Sequence, residues 1–405
     1  MRVCLVNALF HPFSGGVEKH MLELSQELVR QGVDVTVVTA RIDGTPAYEE
    51  LNGVKVHRVP CLSVKVPGFY PPPLVLSVLF PHYLKRLDDE NDFDIIHLQN
   101  RFFVDFDTAA LYAKLRGKPF IMTIHNARPL GISLPITVFG SAYDWAIGRW
   151  PFAMADRIIA VSEWVRHDIA KYHIDESKIV PVHNGINVSA FKPTAATHVR
   201  RQYGIDGPML LFVGRMITQK GVPYLIDAMP LVLKEHRDAK LLLVGRGSAL
   251  EGLKNKVKAM GLEKSVIFSG YMSEDMLKEA YGTCDMFVLP SVWEVLPIAI
   301  LEAMSSSRPV VCTDAGGNAE LVKDGYNGYV VPMRSPEALA KKINALLDDP
   351  EKMKAMGRAG RRRAEDEFDW KLIAQKTKHV YEDVLMEKKK GKGNNDRYYP
   401  HINVT

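Results

Sequence analysis

Glu294 and Glu302 stand eight positions apart in the run Pro290-Ser-Val-Trp-Glu-Val-Leu-Pro-Ile-Ala-Ile-Leu-Glu-Ala-Met304. The stretch from Asp285 to Ser291 reads as a buried strand, and Pro297 opens a helix where its missing N–H costs nothing. One carboxylate therefore lies in the loop at the strand's end, and the other about one and a half turns into the helix. Such a pair can hold hydroxyls at two points of an extended polyol, and the helix N-terminus between them favours a phosphate. A nucleotide sugar has both groups. On spacing alone, a loop glutamate and a solvated helix glutamate account for the pair equally well.

Arg215 and Lys220 lie in Phe212-Val-Gly-Arg-Met-Ile-Thr-Gln-Lys-Gly221, directly after a strand pattern and before a helix pattern. Two cations at the C-terminal end of a strand, beside a helix N-terminus, can neutralise a departing diphosphate. Gly15 and Gly16 form the first strand-to-helix turn, where glycine lets backbone approach a phosphate or sugar. No full G-x-G-x-x-G follows them, which argues against NAD. His125 ends the strand pattern Pro119–His125, as a donor to a sugar hydroxyl or as a hydrogen-bonded structural residue. Gly245-Arg-Gly247 is ambiguous, and Asp314-Ala-Gly-Gly317 and Asn184-Gly-Ile-Asn187 read first as turns.

The elements that must position these residues alternate strand and helix from end to end, the pattern of parallel α/β units. A first set of strands is expected over Val3–Leu9, Asp34–Thr39, Asp94–Gln99, Pro119–His125 and Asp156–Val161. A second set covers Met209–Gly214, Ala239–Gly245, Ser265–Gly270, Asp285–Pro290 and Pro309–Thr313. The expected architecture is α/β, with two Rossmann-like domains facing each other across a deep cleft. The first spans residues 1–190 and the second 191–370. A helix over 371–388 returns to the first domain, and a disordered tail, low in apolar content, covers 389–405.

A length of 405 residues suits two domains, and 47% hydrophobic and 24% charged residues are ordinary for a globular enzyme. A net charge of +5 hints at anionic ligands or a membrane surface without demanding nucleic acid. Cys4, Cys61, Cys284 and Cys312 form no C-x-x-C pair, so neither a disulfide framework nor a zinc site is implied, and a reducing, cytoplasmic compartment is expected. The N-terminus reads as a first strand rather than a signal segment. No stretch reaches the roughly 20 apolar residues of a membrane span.

Together these stretches resemble retaining glycosyltransferases of family 4, which have the GT-B fold. The resemblance covers about residues 1–385. It rests on the Glu294-x7-Glu302 signature with Pro309-Val-Val311, on Gly15-Gly16-Val-Glu18, Thr123-x-His125, Ala155–Ser162 and Asn184-Gly185, and on Gly214-Arg215 with Lys220. It implies that Arg215 and Lys220 bind the donor's diphosphate, with Gly15 and Gly16 approaching it from the first domain. Glu294 would hold the donor sugar's hydroxyls, Glu302 the ribose, and His125 the transferred sugar. The loop Tyr271-Met272 would meet the base, and the amides of Leu296 and Ile298 would donate to the ligand. Transfer would proceed with retention, without a cofactor or an essential metal. Relatives often carry Glu-Gly-Phe-Gly-Leu after the first glutamate, where this chain has Val295-Leu296-Pro297-Ile298. Pro297 therefore removes one backbone donor.

The partners expected are a nucleotide sugar (UDP- or GDP-linked) and a hydroxyl acceptor, lipid-linked or glycan, but no nucleic acid. Apolar and basic stretches at 66–86, 101–106 and 129–150 fit either core packing or contact with an anionic membrane, at whose inner face the enzyme would be peripheral. For 74–87, core packing is favoured. Two other readings use the same fold, a nucleotide-sugar epimerase and a non-catalytic binding subunit.

Overall fold

The computed structural model describes residues 1–13, 15–64, 74–100, 104–125, 148–172 and 174–395. Contacts divide it into two compact units. The first comprises Met1–Val161, Val165–Val182 and the segment from Trp370, and the second Ser162–Trp164 and His183–Asp369. The readings at 66–73, 101–103 and 129–147 lie outside the described residues.

The chain begins with β1 (Arg2–Val6), α1 (Gly16–Arg30), β2 (Asp34–Arg41), β3 (Tyr48–Leu51), β4 (Val54–Pro60), β5 (Leu62–Val64) and β6 (Leu74–Leu76). It continues with α2 (Phe80–Asn91), β7 (Ile95–Gln99), α3 (Val104–Leu115), β8 (Phe120–Ile124), α4 (Trp150–Met154), β9 (Arg157–Ala160), α5 (Glu163–Ala170) and β10 (Ile179–Pro181). Eight of these strands form one sheet in the order β10-β9-β8-β7-β1-β2-β4-β3, parallel except for β3 against β4. The parallel strands are apolar runs buried at every position in β7 and β8, as a sheet covered on both faces requires. The β3–β4 hairpin was not expected. It turns at Asn52-Gly53, both with positive φ (51° and 85°), the backbone a tight two-residue hairpin demands.

Core packing holds for α2. Phe80, Leu84 and Leu87 are buried, and Phe80 lies 4.5 Å from Phe106, ring centre to ring centre. The β5–β6 ribbon before it is different, since Leu62 and Leu76, paired across the strands, are both exposed.

The second unit contains α6 (His198–Gln202), β11 (Met209–Val213), α7 (Val222–Glu235), β12 (Lys240–Val244), α8 (Leu250–Ala259), β13 (Val266–Gly270) and α9 (Glu274–Thr283). Then follow β14 (Met286–Leu289), α10 (Ile298–Ser305), β15 (Val310–Thr313), α11 (Asn318–Leu321), β16 (Gly328–Val331), α12 (Pro336–Leu347) and α13 (Pro350–Glu367). Its sheet is wholly parallel, ordered β13-β12-β11-β14-β15-β16. The order reverses between β11 and β14, and loops leaving the C-terminal ends at such a point diverge and open a crevice. The first unit has the same reversal between β1 and β7.

The last helix, α14 (Trp370–Asn395), packs in the first unit. Trp370, Ile373, Ala374, Val380, Tyr381 and Val384 join one core with Met21, Leu24 and Leu28 of α1 and Val3 and Leu5 of β1. At about 1.5–3 kcal/mol per buried large apolar side chain, this stripe is ample to hold the helix there. The helix runs to Asn395, past the end expected at 388, so the tail assigned to 389–405 is corrected at its start. Lysine is a good helix former, and a helix already nucleated by packing propagates through residues 389–395 despite low apolar content and the glycines at 391 and 393. Among the described residues, no helix is long and apolar enough to cross a membrane.

Tyr381 also reaches the sheet, its hydroxyl 2.7 Å from His97 Nδ1, while His97 Nε2 lies 2.8 Å from Thr123 Oγ1. Burial, reinforced by nearby His20, pushes the His97 imidazole down to about 3. Its folded value thus lies below its unfolded value near 6.5. Below that pH the unfolded chain takes up a proton that the folded chain refuses, so His97 destabilises the fold increasingly from about pH 6.5 towards 3. Urea unfolding at pH 7, 6 and 5 should show stability falling as pH drops. His97→Gln should flatten that slope by up to about 1.4 kcal/mol per pH unit.

Candidate active site

In the second unit the loop after β11 contains Gly214-Arg215-Met216 and a turn of 3₁₀ helix, Thr218–Lys220, before α7. The loop after β14 runs from Pro290 to Pro297, which caps α10. β11 and β14 are hydrogen-bonded neighbours, so the two loops leave the sheet side by side. Gly221 makes their contact possible. It has φ +62°, and a Cβ there would lie 1.9 Å from the Pro290 carbonyl oxygen. Val292 N–H donates to Gln219 O at 2.9 Å, fastening the loops backbone to backbone.

That contact brings Lys220 Nζ to 2.6 Å from Glu294 Oε1, which also accepts from Ser291 Oγ at 2.6 Å. The Lys220 and Glu294 side chains are only 18% and 8% exposed, so the pair is largely desolvated. Among the described residues, nothing hydrogen-bonds Glu294 Oε2. The loop is braced behind by Gly316, with φ +56° and its Cβ position 1.9 Å from Glu294 O. Gly317 N–H donates to Val295 O at 3.1 Å, and Asn184 Nδ2 to Leu296 O at 3.0 Å. The turn read over Asp314–Gly317 is therefore a brace for Glu294.

Glu302 is buried in the second turn of α10, beside the Tyr281 phenol. Burial, together with that carboxylate, pushes Tyr281 well above its usual value. Arg215 is exposed, while its neighbour Met216 is buried and pinned through Met216 N–H to Arg246 O at 2.9 Å and Ala249 N–H to Met216 O at 2.8 Å. A guanidinium on a fixed stem results. Met272, after β13, is buried, whereas Tyr271 is 72% exposed. Leu296 is buried and Ile298 half-buried.

In the first unit Gly15 is the extended N-cap of α1, and Gly16 has open space where a Cβ would stand. The Glu18 carboxylate folds back to within 2.1 Å of the Gly15 Cβ position, at the helix end that favours negative charge. His125 is 7% exposed, and its Nε2 lies 3.0 Å from Gln99 Oε1. An amide oxygen only accepts, so the ring nitrogen donates. Burial first, then nearby His20 and His97, push His125 well below its usual value, so it is neutral. It meets the His20 ring edge-on at 4.4 Å.

Lys220 and Glu294 are thus brought together. Glu302, Arg215, Met272, Leu296 and Ile298 lie on neighbouring elements of the second unit, and Gly15, Gly16 and His125 in the first. Ser291, Gly221, Gly316 and the side-chain role of Asn184 were missed. Gly221 carried a signal as a break before a helix, and Gly316 and Asn184 lay in stretches read only as turns. Asp92 and Asp94, spaced as a metal-binding pair, are engaged elsewhere: Asp92 accepts from Arg2 and Lys118, and Asp94 from Arg2 N–H. Glu235, His236 and Asp348 are the one cluster of metal-ligating type among the described residues. They stand at the C-terminal ends of α7 and α12, not on these loops.

Two parallel Rossmann-like sheets, with a C-terminal helix docked on the first, constitute the GT-B fold. Sucrose-phosphate synthase from Thermosynechococcus elongatus has it, with a TM-score of 0.77 at 21% identity over 95% of this chain and 99% of that one. So has Anabaena HepE in complex with UDP-glucose, with a TM-score of 0.71 at 20% identity, covering 95% and 99%. Residues 14–190 match Glycosyltransferase Family 4, and residues 197–363 match Glycosyl transferases group 1. An uncharacterized glycosyltransferase of Methanocaldococcus jannaschii is 30% identical over 398 residues, 96% of this chain and 99% of that protein. The chain belongs to the family 4 glycosyltransferases.

Gly316→Ala forces a side chain into both a left-handed backbone and the Glu294 carbonyl. It should cost at least about 1–2 kcal/mol of stability in urea unfolding and reduce activity through Glu294. Gly325→Ala, also at positive φ but with open space around it, should cost only the backbone share.

Proposed function

We propose that the protein transfers a hexosyl unit, with retention, from a nucleotide sugar to a hydroxyl acceptor. The observation that carries this reading is the desolvated Lys220–Glu294 contact where the strand order reverses. A cation and a carboxylate held this close suit a ligand with phosphate at one end and hydroxyls at the other. In this reading Lys220 and Arg215 stabilise charge on the departing diphosphate, Glu294 Oε2 accepts from the sugar's hydroxyls, and Glu302 accepts from the ribose. Leu296 and Ile298 offer backbone N–H groups, and Met272 borders the base. Gly15 and Gly16 approach the phosphates from the first domain, which also supplies the acceptor pocket, lipid-linked or glycan. Neutral His125 contacts the transferred sugar and carries no charge to be neutralised. The acceptor hydroxyl attacks from the face the diphosphate leaves, and a phosphate oxygen takes its proton.

UDP-glucose is the first donor to test, because the HepE complexes hold UDP and UDP-glucose; GDP-mannose is the second. A nucleotide bound at 100 times its Kd stabilises the native state by about 2.7 kcal/mol and raises the melting temperature by several degrees. With the donor so found, Lys220→Ala and Glu294→Ala should each lower kcat/KM about 10²–10³-fold. Because the two side chains touch, the double variant should lose less than the product of the single losses. Wild-type turnover in either single variant would sink the assignment. Glu302→Gln should act mainly on donor KM, because ribose contacts are the same in the ground and transition states.

A further inference from the structure

Glu235 and His236 end α7, and Asp348 ends α12, the helix packed beside it. Each of the three offers one ligand atom, and those atoms lie within 4.8 Å of one another. His236 Nε2 stands 3.2 Å from Asp348 Oδ1, close enough for a hydrogen bond, yet none forms. At that distance only the angle can be at fault, so the ring nitrogen points past the oxygen. It is nonetheless shut off from water, and it has no other hydrogen-bond partner among the described residues. The seam between the two helices holds a second atom in this condition. Asn344, 6% exposed and one turn before Asp348, donates Nδ2 to Leu231 O of α7 at 3.5 Å, while its Oδ1 has no partner among the described residues.

Buried polar atoms in folded proteins are almost always satisfied, and a ring nitrogen left open beside two carboxylates calls for a cation. Ligands held about 2.1 Å from one tetrahedral ion stand about 3.4 Å apart, close to the separation of His236 from Asp348. Glu235 and Asp348 are exposed, so their carboxylates can turn to complete the set. The C-terminal ends of α7 and α12 add the partial negative charge of their last carbonyls. Imidazole nitrogen selects zinc-like ions over magnesium and calcium, which take oxygen ligands. We infer that Glu235, His236 and Asp348 form a surface Zn²⁺ site, with water completing the coordination. The 14 residues of α7 put this end about 20 Å from its first turn, which follows Lys220. An ion here ties α7 to α12 and takes no part in sugar transfer.

The test is titration calorimetry of ZnCl₂ into the full chain, first stripped with a chelator that is then dialysed away. One Zn²⁺ should bind with a Kd below about 100 µM. At 100 times its Kd, the ion should raise the melting temperature by several degrees. His236→Gln and Asp348→Asn should each weaken binding about tenfold or more. His379→Gln, on α14 beside Glu382 and Asp383, should leave it within about twofold. Co²⁺ gives a second readout, because its visible absorption should change on binding to wild type but not to His236→Gln. Thermal melts in chelator check that the variants fold, and Asp348→Asn decides if His236→Gln does not. No saturable Zn²⁺ binding by about 100 µM would overturn the site, as would equal binding by wild type and the two variants.

Discussion

The backbone-to-backbone contact between the loops leaving β11 and β14 is the constraint on which the candidate site depends. Parallel strands lie only about 4.8 Å apart, so loops leaving neighbouring strands collide unless one gives way. Gly221 gives way against Pro290, and Gly316 against Glu294 from the side of β15. With no Cβ between them, the loops approach closely enough for Lys220 to meet Glu294 and for Val292 to bond Gln219. The ion pair is thus a consequence of the packing as much as a cause of it. A largely buried pair of this kind contributes little net stability, but losing one partner would strand the other charge at a cost of about 3–5 kcal/mol. Its value lies in holding a charged group ready in surroundings where water screens poorly.

The first unit solves a different problem with uncharged groups. His97 lies in β7 and His125 directly after the adjacent strand β8, and burial keeps both neutral. Thr123, Gln99 and Tyr381 supply hydrogen-bonding groups to their ring nitrogens. Tyr381 comes from α14, so the last helix of the chain satisfies a polar group at the heart of the first sheet as well as covering α1. A helix whose departure would strand a buried imidazole is bound by more than its apolar stripe.

Much of the architecture was legible along the chain. Buried parallel strands announce themselves as short apolar runs ending in polar turns, and every strand expected from that pattern is present, with ends shifted by only a few residues. The strands missed include short or alternating ones such as β3, β4 and β10, and also β16, whose Gly328-Tyr-Val-Val331 is a short buried run. Tyr48-Glu-Glu-Leu51 forms an edge strand from two glutamates, although Asn52-Gly53 after it was a hairpin signal in plain view. The C-terminal helix outran its expected end although Gly391, Gly393, Asn394 and Asn395 are weak helix formers, because a helix nucleated by its packed part propagates beyond its apolar stripe.

For the candidate site, residue type and spacing nominate Glu294, Glu302, Arg215, Lys220, Gly15, Gly16 and His125. Position along a strand–loop–helix unit depends on local pattern, and local pattern is what a sequence carries. Which of them touch depended on the order of strands in the sheet. Lys220 and Glu294 are 74 positions apart and meet because β11 and β14 pair. The tertiary structure likewise made a brace of Gly316, a loop anchor of Asn184 and a buried, hydrogen-bonded group of His125. Those roles arise from contacts between segments distant in the chain, and no local spacing encodes them.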